Sequence, residues 1–201
     1  DGAILVISAV EGVQPQTRVL MRALQRLGIP TLLFVNKIDR GGANAGRVLQ
    51  QIAERLTPAI VPMGATSALG ARDAAFAPYG PADAEFKARL ADLLTRQSDA
   101  LLAAYVADEA SVPYCRLRDE LAAQTGRALV HPVFFGSAIT GAGVEELIAG
   151  VRELLPAAAG DADGPLAGSV FKIERGPAGE KIAYARLFSG AVRVRDRVRF
   201  G

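Results

Sequence analysis

The sequence predicts an α/β domain of three parallel strands with helices, followed by the first strands of an antiparallel unit. Three observations carry that expectation. The apolar runs Ala3–Ala9, Thr31–Val35 and Leu129–Phe135 are continuous rather than alternating, as strands buried on both faces of a parallel sheet are. Segments with apolar residues at helical spacing separate them. From Gly168 the period changes to two, which marks half-buried antiparallel strands.

Composition narrows the class. The chain has 201 residues, 50% of them apolar, and a formal net charge of +2. That suffices for one domain, or one domain plus part of another. The charges are mixed along the chain and do not make a nucleic-acid-binding protein. Arg193, Arg195, Arg197 and Arg199 alternate near the end and read as the solvent face of a strand. A single cysteine, Cys115, excludes an internal disulfide and fits a reducing, cytoplasmic setting. His131 is the one histidine and Cys115 has no nucleophile signature around it, so a Cys–His pair has little support. No run approaches about 18 uncharged apolar residues, so no membrane span is expected. The chain opens on Asp1-Gly2 with neither initiator Met nor signal peptide, which reads as a piece of a longer protein.

The elements follow in order. After the first strand, Pro15 opens a helix in which Val13, Thr17, Leu20, Met21, Leu24 and Leu27 recur at helical spacing. Gly28 and Ile29-Pro30 end it, and the strand Thr31–Val35 completes a strand–helix–strand unit with a right-handed crossover. Gly41–Val48 mimics the Gly-x₄-Gly spacing of a phosphate loop, but Arg47 and Val48 stand where Lys and Ser/Thr are needed. Those glycines read as a turn before a helix with Val48, Ile52 and Leu56 on one face. Pro58–Pro62 is a short extended piece, and 64–81 reads as a mobile loop. One long helix is expected from Asp83 to about Val106. A second carries Leu117 and Leu121, with Ser111 as N-cap, and ends near Gly126. Thr140-Gly141-Ala142-Gly143 turns the third strand into a helix over Val144–Leu155. Residues 157–167 read as a linker, in which Asp161-x-x-Gly164 is a coincidental pattern. Ser169–Glu174, Ile182–Phe188 and Val192–Phe200 read as a meander. The expected domains are therefore 1–156 and 168–201.

The chemistry collects in Asn36-Lys37-Ile38-Asp39, at the carboxyl end of the second strand. Ligands of open α/β sheets bind at such ends. A carboxylate offers two acceptors in a plane, and guanine offers two adjacent donors, N1–H and the exocyclic amine. Asp39 matches them. Adenine lacks the ring donor, and a site built for one polar edge rejects a ligand without it by roughly 10⁴–10⁵-fold. The Asn36 amide can donate to guanine N7 or tie neighbouring loops together. The Lys37 stem can lie over the base with its ammonium in water. Taken alone, the four residues would also suit an ordinary turn.

Asn36-Lys37-Ile38-Asp39 and Ser137-Ala138, at successive strand ends, resemble the guanine-binding half of a P-loop GTPase. Asp1–Ala9 with Glu11-Gly12-Val13 and Gln16-Thr17-Arg18 is similar to the stretch after the Asp-x-x-Gly-His switch of translational GTPases. Gly136-Ser137-Ala138, Gly143-Val144 and Leu154-Leu155-Pro156 resemble elongation factor G. Gly168–Glu174, Ala183–Gly190 and Arg195–Val198 resemble the start of the β-barrel second domain in ribosomal-protection tetracycline-resistance proteins. The resemblance implies GTP or GDP at Asn36, Lys37, Asp39, Ser137 and Ala138. The Ala138 N–H would donate to guanine O6, and Ser137 would support the loop and contact Asp39. It also implies Mg²⁺ and the ribosome as partners of the parent protein. No Gly-x₄-Gly-Lys-Ser/Thr occurs in the 201 residues, so hydrolysis is expected of the parent and base recognition of this stretch. Elongation factor G, a release-factor GTPase and a non-catalytic module of degenerate GTPase fold are the alternatives. Without a neighbouring phosphate-loop strand, Ala3–Ala9 would be a bare apolar edge open to self-association.

Overall fold

The computed structural model describes residues 2–107, 112–157 and 160–199. The chain divides into two compact units, Asp1–Pro156 and Ala157–Gly201. In chain order the first holds β1 (Ala3–Ser8), α1 (Pro15–Arg26), β2 (Thr31–Asn36), α2 (Ala45–Arg55), β3 (Ile60–Pro62), β4 (Gly64–Ser67), β5 (Ala75–Pro78), α3 (Ala84–Thr95), α4 (Asp99–Ala107), α5 (Tyr114–Gly126), β6 (His131–Phe135) and α6 (Val144–Leu154). The second holds β7 (Ala167–Arg175) and β8 (Lys181–Ser189).

The sheet of the first unit has four parallel strands in the order β1-β2-β6-β3. The expected three are joined by Ile60–Pro62, which the sequence showed only as a short extended piece. Two of its three residues are half-buried and one of them is Pro, so it has no alternation and too few apolar residues to stand out. Central β2 is buried from Thr31 to Val35. Strand register places the site. Ser8 pairs with Asn36, and Val35 pairs with Phe135. The three strand ends therefore release their loops side by side.

The segment 64–81, expected to be a mobile loop, contains the hairpin β4–β5. Phe76 anchors it. Its ring is buried and lies 6.3 Å and 6.2 Å from the rings of Phe134 and Phe135. Alanine, serine and proline hide that single aromatic anchor from periodicity. The long helix expected over 83–106 is two helices. Ser98 breaks it: its hydroxyl accepts from the Leu101 N–H at 3.4 Å, and its carbonyl accepts from Leu102 at 2.9 Å, which starts α4 afresh. On α1, Met21 is buried while Leu20 and Leu27, expected on its apolar side, are exposed. Ser111, the expected N-cap, lies outside the described residues.

His131 sits at the opposite end of the sheet from the loops described above. It is 2% exposed, and its Nδ1 lies 3.1 Å from the Thr31 carbonyl oxygen. A carbonyl only accepts, so Nδ1 carries the proton. Burial lowers the His131 pKa, and the bond to Thr31 only partly opposes that. The sign follows. Below about pH 6.5 the unfolded chain binds a proton that the folded chain refuses. Stability due to this residue therefore falls as pH falls, by at most about 1.4 kcal/mol per pH unit, until the lowered folded pKa is reached. Urea midpoints between pH 7 and 5 should fall more steeply for the native sequence than for His131→Gln. Parallel slopes would refute it.

In the second unit, β7 and β8 form an antiparallel hairpin. Phe171, Ile173 and Phe188 are exposed on it, consistent with a two-stranded ribbon that buries no core of its own. The expected third strand does not form over 192–199; its last residue, Phe200, is outside the described residues. Asp196 is the reason. Its carboxylate accepts from the Arg193 N–H at 2.7 Å, the Asp196 N–H donates back to the Arg193 carbonyl at 3.0 Å, and Arg195 takes φ 74°. This local turn outcompetes extension, so the alternating arginines do not share a strand face. Within the expected linker, Asp161 bridges to Ser189 and accepts from the Gly190 N–H at 2.7 Å.

Candidate functional site

The chain leaves β2 at Asn36 and must turn at once, because Ile38 is drawn fully into the core. Lys37 makes the turn in the left-handed region, φ 70°, which a non-glycine residue adopts only where its surroundings impose it. They do. The Asn36 side-chain oxygen accepts from the Lys37 N–H at 2.7 Å. The Ile38 N–H donates to the Gly136 carbonyl at 3.3 Å, and the Ile38 carbonyl accepts from Gly70 at 2.8 Å. The tetrapeptide is thus fastened to the loop after β6 and to the chain beyond β4.

This geometry aims Asp39 into a cleft of about 520 Å³, lined by Glu11, Lys37, Arg40, Ser137 and Ile139 among others. The Asp39 side chain is only 10% exposed. Its Oδ1 is buried and has no hydrogen-bond partner, while Oδ2 lies 3.7 Å from Arg40 Nε. A buried carboxylate oxygen with no donor is costly. Asp39 is among the residues that line the cleft.

All five residues singled out from the sequence lie together, with two differences in detail. The Ala138 N–H, assigned to guanine O6 by resemblance, donates to Asn36 Oδ1 at 3.0 Å. Asn36 therefore ties the loops together through its oxygen, which leaves its NH₂ for other partners. Ser137 is buried, but its hydroxyl accepts from the N–H groups of Ile139 and Thr140, each at 3.3 Å, rather than meeting Asp39. It holds the loop in shape from inside.

Sequence reasoning missed Glu11 and Arg40. Glu11 meets the Lys37 ammonium at 3.1 Å, and that contact holds its carboxyl below the usual carboxylate range. Its signal was present: parallel, in-register β1 and β2 must release adjacent loops. A larger depression of about 600 Å³ lies between α5 and α6, around Tyr79, Tyr114 and Phe134. None of the orphaned buried side-chain atoms among the described residues lines it. No helix among the described residues is long and apolar enough to cross a membrane.

Comparison with known proteins gives a consistent picture. The oxytetracycline resistance protein of Streptomyces rimosus is 54% identical over 199 residues, covering 98% of this chain and 30% of that protein. The tetracycline resistance protein TetM of Streptomyces lividans is 41% identical over 206 residues, covering all of this chain and 31% of that protein. The chain thus spans about a third of the length of these relatives. A crystal structure of a Thermus thermophilus protein superposes with TM-score 0.74 at 25% identity, over 94% of this chain and 32% of that one. The family model described as elongation factor Tu GTP binding domain matches residues 1–157. With that match over most of its length, the chain belongs to the family of elongation factor Tu GTP-binding domains.

Proposed function

We propose that this chain is the guanine-recognising part of a translational GTPase of the ribosomal-protection type, which works at the ribosome in the cytoplasm and confers tetracycline resistance. The observation that carries the base site is that Asp39, whose buried Oδ1 has no hydrogen-bond partner, lines the cleft. In this reading Asp39 accepts from guanine N1–H and the exocyclic amine. The Asn36 NH₂ reaches N7, the Lys37 stem covers the purine, and Ser137 and Ala138 form the rim beside O6. The Ala138 N–H must then share, or give up, its bond to Asn36. The relatives' names supply the resistance reading. Mg²⁺ and hydrolysis belong to the longer protein, since the 201 residues carry no phosphate-loop pattern. Calorimetric titration of the chain with GDP, with ADP as control, tests the base site. Heat from GDP alone is expected. Equal affinity for both, or none for either, overturns the assignment for this chain.

Self-association through β1 is a separate proposal. Ile4 and Val6 are exposed, and β1 is an edge of the sheet among the described residues, where a second copy's strand would add. Sedimentation at rising concentration should show dimers; a monomer at high concentration refutes it.

A further inference from the structure

Two residues from different loops meet in the middle of the strand-end surface. The Lys37 ammonium and the Glu11 carboxylate are 3.1 Å apart, each side chain a little under half exposed. On one side lies the cleft with Asp39. On the other lies a smaller hollow of about 280 Å³, lined by Ser8, Gly12, Gln14 and Thr17. Glu11, Asn36 and Lys37 line both. The ion pair is therefore the partition between them.

The partition is fixed from both ends. On the Lys37 side, φ 70° sets where the side chain leaves the backbone. On the other, the turn after β1 is preset. The Ser8 hydroxyl accepts from the Val10 and Glu11 N–H groups at 3.2 Å, and the Ser8 carbonyl accepts from Gly12 at 2.9 Å. Gln51 Oε1 accepts from the Val13 N–H at 2.9 Å, and the Arg47 guanidinium donates to the Val10 carbonyl. Glu11 therefore stands on a rigid turn and can hold a flexible partner.

An exposed ion pair adds little to stability. Its effect here is on order. A free lysine stem samples many rotamers, and a ligand that needs it in one must freeze the rest. We propose that Glu11 is a positioning residue of the guanine site: its carboxylate holds the Lys37 ammonium on the β1 side, so that the Lys37 stem forms a ready-made wall for the purine face. This role rests on the base-site reading above.

Two measurements test it. Guanosine is the first probe, because it carries no phosphate that the Glu11 charge would repel. Glu11→Gln should weaken guanosine by about fivefold, and Glu11→Asp, which keeps the charge, should recover part of the loss. The Glu11 side chain is exposed, and its turn is held by Ser8, Gln51 and Arg47 rather than by its own carboxylate, so these variants should melt like the native chain. The second probe needs no ligand. Competitive acetylation, with Lys87 and Lys181 as internal references, should label Lys37 severalfold faster in Glu11→Gln. Unchanged guanosine affinity or unchanged Lys37 labelling overturns the positioning role. Asp39→Asn separates the two levels. If it abolishes guanosine binding while Glu11→Gln leaves it intact, the positioning role alone fails. If Asp39→Asn has no effect, or the native chain binds no guanosine, the base-site reading fails and the positioning role with it.

Discussion

Asp39→Asn should lower the affinity for guanine nucleotide by roughly 10²–10⁴-fold and turn the preference toward xanthine nucleotide. The carboxylate accepts at both oxygens; the amide accepts at one and donates at the other. Set against guanine, the amide NH₂ faces the exocyclic amine, donor against donor. Xanthine carries a carbonyl there, and the NH₂ then has an acceptor while the amide oxygen still takes N1–H. The same substitution should leave the ligand-free chain at least as stable as before. In that state Oδ1 has no hydrogen-bond partner and Oδ2 meets a largely exposed Arg40 only at 3.7 Å, so the ion pair offsets little of the carboxylate's burial and a neutral amide of the same shape costs less. Affinity and stability therefore move in opposite directions. Titration with GDP and XDP beside thermal melts of both chains reads the two. A parallel loss of stability and binding would make Asp39 a structural residue and sink the assignment.

How much of this was legible beforehand varies by physical cause. Two of the three long strands, β2 and β6, were readable because strands buried on both faces must be continuously apolar, as Thr31–Val35 is; β1 is equally apolar but exposes Ile4 and Val6 on one face, because it lies at the sheet's edge. The grouping of Asn36, Lys37, Asp39, Ser137 and Ala138 was readable because their loops leave neighbouring parallel strands at the same end. What escaped was decided by single tertiary contacts. Phe76 makes a hairpin out of a stretch that composition calls loop. Ser98 divides a helix whose apolar spacing runs on unbroken. Asp196 folds back on Arg193 where alternation promised a strand. Within the site, residue identity did not reveal partners. Nothing in Ser137 or Ala138 as letters says that the hydroxyl serves its own loop, or that the Ala138 N–H is already engaged by Asn36. Those outcomes depend on tenths of an ångström in loop placement.

The loop after β6 holds its shape through glycine, and a pair of substitutions separates the two reasons. Gly141 and Gly143 both lie in the left-handed region, at φ 84° and 71°. Gly141→Ala meets nothing within 4 Å, so its cost is conformational, about 1–2 kcal/mol. At Gly143 an added Cβ would stand 1.9 Å from the Phe135 carbonyl oxygen and 3.0 Å from Gly136 Cα. Both are backbone atoms at the end of β6 and cannot swing aside as a side chain would. Relief would require moving that strand end or the turn, which the Ser137 N–H ties to Ala142 at 2.9 Å and the Gly141 N–H ties to Ser137 at 2.8 Å. Gly143→Ala should therefore cost about 3 kcal/mol or more, the strained backbone adding to the overpacking. Because the displaced segment carries Ser137 and Ala138, nucleotide affinity should fall in whatever fraction stays folded, whereas Gly141→Ala should keep it. Urea unfolding of the two variants gives the first comparison and GDP titration the second. Equal destabilisation would mean that the close approach to Phe135 relaxes at no cost, and that backbone conformation alone selects glycine at both places.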